Sequence, residues 1–149
     1  MNQGEWQANA LVLQGNQLIN TGRIQGDQGI AVTLNAAVFP SKLLNQGTLV
    51  SGRDSQISAN AIENSGTLST LGKATLTGDT LLNASDIIAD SALTLNGNYQ
   101  GTGRLATGGT LALSGEHLSN QGHWQGRDVT LTGSTFDLQG ALVGGRISP

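Results

Sequence analysis

Apolar residues recur along this chain on a fixed beat. An Asn-x-Gly or related opening stands at Asn2, Asn20, Asn45, Asn64, Asn83, Gly101, Asn120 and Gln139, at intervals of 18 to 19 residues save one of 25. Four positions after each start comes an apolar residue: Trp6, Ile24, Leu49, Leu68, Ile87, Leu105, Trp124 and Val143. In so polar a chain this column marks an inward face. A second beat follows as strict alternation in Leu11-Val12-Leu13, Ile30 to Leu34, Leu93-Thr94-Leu95, Leu111-Ala112-Leu113 and Val129-Thr130-Leu131. Period two predicts strands, and threonine sits where its β-branch favours them. A third beat closes the coils at Leu18, Leu43 or Leu44, Ile62, Leu81, Leu118 and Phe136, with Gly, Asn, Asp and Ser as turn formers between beats. In the coil from Asn83, Asn98-Tyr99-Gln100 replaces the third beat, so Tyr99 is expected at an exposed corner.

Each repeat thus reads as three short strands and three corners. A single coil cannot bury its inward face, so coils must stack, with equivalent strands pairing in parallel at about 4.8 Å. The expected fold is all-β, a parallel β-helix of about seven to eight coils over residues 1–149, roughly 35 Å long at that rise. Composition agrees with a thin, layered core: aromatic residues make up 3%, charged residues 11%, and glycine contributes 22 positions. A net charge of -3 without a basic run gives no footprint for nucleic acid or an anionic membrane. Cysteine is absent, which removes disulfides and thiolate metal sites. The opening Met1-Asn2-Gln3-Gly4 lacks the parts of a signal peptide, and no apolar run nears the roughly 20 residues of a membrane span. A secreted chain of this kind is expected to be an internal piece of a longer one.

Three features invite a functional reading. The repeated Asn can donate to the coil on one side and accept from the other, forming a ladder, or can present a row of carboxamides to a ligand. The coil from Asn20 carries about six extra residues, and the stretch from Asn35 to Lys42 is expected to bulge because Pro40 cannot serve a central strand. Such a loop can bind a partner through Phe39, Pro40 and Lys42, with Tyr99 as a further exposed contact; the plainer alternative folds Phe39 back over the rod. Trp6 and Trp124 share the inward column and are expected in the core, the rival being sugar-stacking platforms.

The repeat N-x-G-x-L, a small turn, then L-x-L, as in Asn64-Ser-Gly-Thr-Leu68 and Gly108-Gly-Thr-Leu-Ala-Leu113-Ser-Gly115, resembles the filamentous haemagglutinin repeats, and the resemblance spans the chain. It implies a right-handed β-helix within a large bacterial exoprotein exported by an outer-membrane two-partner transporter. Such exoproteins include adhesins, haemolysin-like proteins and carriers of contact-dependent growth inhibition toxins. The implied role is a structural shaft or adhesin segment at the cell surface, with a host or bacterial receptor or glycan as partner. The Asn-Pro secretion motif and the Val-Glu-Asn-Asn boundary of that family are absent, which points to central shaft. Gly52-Arg53-Asp54 and Gly126-Arg127-Asp128 carry the wrong order for an integrin-binding Arg-Gly-Asp.

Catalytic chemistry finds little support in the residues. Parallel β-helices can host glycan-cleaving enzymes, but a glycosidase needs two carboxyls about 5 to 9.5 Å apart. Asp54 and Asp128 lie several coils apart; Asp79 is near Asp86 and Asp90 in stacking terms, but Asp86 and Asp90 have their nearest bases, Lys73 and Arg104, on other coils. His117 and His123 lack a third metal ligand. Neither a cofactor nor an enzymatic activity is expected.

Overall fold

The inward columns of the sequence become continuous ladders of parallel strand pairs in the computed structural model, which describes residues 1–35 and 40–148. Nineteen strands and no helix occur among the described residues, and every pairing links equivalent strands of successive coils. The chain is a parallel β-solenoid of about 7 turns. Trp6, Ile24, Leu49, Leu68, Ile87, Leu105, Trp124 and Leu142 stack in register along the first face. The second face carries two inward columns, one of them Leu13, Val32, Ile57, Leu76, Leu95, Leu113 and Leu131. On the third face the column runs Leu18, Leu43, Ile62, Leu81, Tyr99, Leu118 and Phe136.

Strand alternation decides which of two neighbouring leucines enters the core. Leu43 is fully buried and Leu44 faces outward, because a shift of one residue along a strand exchanges the faces. The same rule corrects the expected start of the last coil. Leu138, not Gln139, stacks on Asn120, and Leu142, not Val143, follows Trp124 in the inward column. Val143 lies opposite Gln125 on the outer surface. Trp124 is buried as expected, whereas Trp6, in the first coil with a neighbour on one side only, is 36% exposed.

The Asn-x-Gly opening performs two jobs at one corner. Its asparagines are buried and joined amide to amide: Asn2 donates to Asn20, Asn20 to Asn45, and Asn45 to Asn64, each at 2.9 Å, and Asn64 donates to Asn83 at 3.0 Å. Each carboxamide nitrogen also reaches a backbone carbonyl of the next coil, as Asn45 does to Thr67 at 3.0 Å. The glycines stack as closely as backbone allows, since a Cβ on Gly66 would collide with the Gly47 carbonyl oxygen, and one on Gly47 with that of Gly22. Ligand contact is therefore not open to the buried Asn row; it is a structural ladder.

The insertion sits where the spacing placed it, between the second and third faces. Thr33 stacks on Ser58 and Lys42 on Ala61, so the second coil takes nine residues (42 − 33) where the third takes three (61 − 58). Asn35 and Pro40 are exposed at its two ends.

Candidate functional site

Of the four expected contact residues, the three that are described, Pro40, Lys42 and Tyr99, do not form one site. Phe39 lies outside the described residues. Pro40 is exposed, consistent with the end of a bulge. Lys42 belongs not to the bulge but to the strand Lys42–Asn45, where its amine lies 2.9 Å from the Glu63 carboxylate of the next coil. Both partners are about one-third exposed, so the pair is a surface clamp between coils worth at most about 1 kcal/mol.

Tyr99 is the clearest departure from the sequence reading. It is the third beat of its coil, 1% exposed, stacked between Leu81 and Leu118. Its position two residues before the coil start Gly101 matches that of Leu81 before Asn83 and Leu118 before Asn120. Glycine at 101 interrupts the amide ladder, and Tyr99 occupies the space, its hydroxyl accepting a hydrogen bond from Asn83 Nδ2 at 3.2 Å. The ring meets Trp124 edge to face with centroids 5.4 Å apart. Trp124 Nε1, buried without a hydrogen-bond partner, turns toward the same phenol. Burial pushes the Tyr99 pKa up to about 12, against the smaller opposing pull of Asn83 and Trp124. Tyr99 is thus a core plug and not a ligand contact.

Outward concavity is found instead on both sides of one corner, in the coils around that plug. A groove of about 410 Å³ runs along the third face past Leu44, Glu63, Leu82 and Gln100. A second groove, of about 360 Å³, opens on the first face between Asp86, Arg104 and His123. The two share Ala84 and Thr102, the short corner side chains that separate them. Asp86, Arg104 and His123 stack in register on three successive coils, with side chains outward because Ile87, Leu105 and Trp124 next to them point in. Adding one coil length to Asp86 would have identified Arg104 from the sequence; the concavity of the corner depends on backbone path and had no sequence signal.

This column offers an acceptor, a fixed cation and an imidazole at strand spacing, about 4.8 Å apart. Arg104 makes no ion pair with a carboxylate among the described residues. Asn83 Nδ2 donates to the Arg104 carbonyl at 3.2 Å, so the amide ladder holds the backbone that presents the guanidinium. Among the described residues no group of three or more His, Asp or Glu side chains is placed to hold a metal ion. Comparison with protein-family models, with curated proteins and with solved structures finds no match to this chain.

Proposed function

We propose that this chain is a shaft segment of a secreted bacterial cell-surface exoprotein of the filamentous haemagglutinin type, holding adhesive or toxin-delivering regions away from the cell. The observation that carries this reading is the unbroken run of amide rungs from Asn2 to Asn83, flanked by three faces of parallel ladders. A rod in which each coil is bonded to the next through backbone and side chain resists bending, and its length scales with coil number. The role is mechanical and uses no catalytic residue or cofactor. In this reading an outer-membrane two-partner transporter exports the chain in extended form, and each coil stacks on the one already outside.

Stacking outside the cell makes a specific demand on the inward columns. Replacing Leu68, Leu76 and Leu81, one inward residue on each face of a single coil, with Asp places three carboxylates in the core. Surface delivery of an exoprotein carrying that coil is expected to fall sharply when followed by cell-surface immunolabelling. Undiminished delivery would count against folding-coupled export and against the shaft reading.

A further inference from the structure

The two grooves at the Ala84–Thr102 corner are uncommitted by the shaft reading, and their chemistry selects one class of ligand. Nucleic acid is disfavoured because the lining offers a single guanidinium for a phosphate backbone and, among the described residues, no Phe, Tyr or Trp on which bases could stack. A protein partner would need a deep apolar pocket for an anchoring side chain, whereas the lining is mostly short polar groups with Leu44 and Leu82 as the large apolar members. Planar amides at Gln100 and Gln121, hydroxyls at Ser65 and Thr102, and a small apolar floor suit a ring that has hydroxyl edges and a C–H face. Within the adjoining groove, Arg104 supplies a forked donor for a carboxylate, His123 flanks it, and Asp86 accepts from hydroxyls.

We propose that this corner is a side-on binding site for a uronic-acid oligosaccharide. The sugar lies across consecutive coils, its C–H face over Leu82 and Ala84 and its carboxylate on Arg104 beside His123. Charge complementarity is local: Glu63 is neutralised by Lys42 at 2.9 Å, while the Arg104 guanidinium remains without an ion-pair partner among the described residues. The site is pre-ordered, because its floor and the Arg104 backbone are fixed by the Asn64 and Asn83 rungs, so little ordering opposes binding. The inference rests on these contacts and not on the shaft reading; failure of export leaves it standing, and failure of binding leaves the shaft standing.

Isothermal titration of the 149-residue chain with a galacturonate hexamer tests it, alongside the methyl-esterified hexamer and a hexaglutamate of equal charge. Saturable binding of the free acid is expected, with Arg104→Gln weakening it by roughly tenfold or more. Arg23→Gln, in the same outward column four coils away, should leave affinity within about twofold. Ala84→Gln, which fills the shared corner, should weaken binding without altering the far-ultraviolet circular dichroism, and so reports on the site even if the Arg104 variant misfolds. Absence of saturable binding, equal losses at Arg104 and Arg23, or equal affinity for the ester or the peptide would each overturn the proposal.

Discussion

At the scale of single residues, Tyr99 shows how the chain repairs its own irregularity. Asparagine fails at position 101, and an aromatic ring two residues earlier fills the corner and offers its oxygen to the Asn83 amide. The replacement of the usual third beat by Asn98-Tyr99-Gln100 suggested an exposed corner; the count from the coil start pointed inward, and packing followed the count. The buried phenol makes stability depend on pH. Its folded pKa of about 12 lies above the ordinary 10.0, so the folded state keeps its proton where the unfolded chain has lost it. The contribution is fully present below pH 10 and lost as pH rises through 12, at roughly 1.4 kcal/mol per pH unit in between. Tyr99 is the single tyrosine, so phenolate absorbance reports it alone. Titration near 12 in the folded protein, with a shallower alkaline stability loss in Tyr99→Phe, is the expected pair of results; titration at 10 would place the ring in water.

Elements are held in register by the corner amides as much as by apolar burial. Asn45→Ala would remove the acceptor of Asn20 and the donor to both Asn64 and the Thr67 carbonyl. Leaving these buried groups short of partners should cost about 1 to 3 kcal/mol in urea unfolding. Gln56→Ala, an exposed outward position on the second face, should stay within about 0.5 kcal/mol. Equal effects would mean that the ladder adds nothing to stability. Strand placement was readable in the sequence wherever Asn, Gly and the apolar beats coincided. It slipped by one residue in the last coil, where Leu138 stands at the ladder position and no Asn marked the start. It was ambiguous at Leu43 and Leu44 because two adjacent leucines satisfy either face until pairing fixes the parity. The Asp86, Arg104 and His123 column was hidden for another reason: residues about 18 apart become neighbours only once coils are stacked.

Over the whole molecule the stack is a series of nearly interchangeable units. Along the inward columns apolar exposure rises at the ends, where Trp6 is 36% and Phe136 40% exposed, while the equivalent positions between them fall to 5% or less; Leu71, exposed in a middle coil, lies at a corner outside these columns. Stability in such an array is a sum of coil and interface terms, so a whole coil can leave without disrupting the rest. Residues 64–82 form one complete coil, and their removal joins Glu63 to Asn83 with the ladder register intact. Thermal unfolding of that deletion, compared with deletion of residues 64–73 alone, tests the account most directly. A cooperative, β-rich transition for the whole-coil deletion, with loss of the fold for the part-coil deletion, is the predicted result. Collapse of both to an unfolded chain would contradict a solenoid assembled from modular coils.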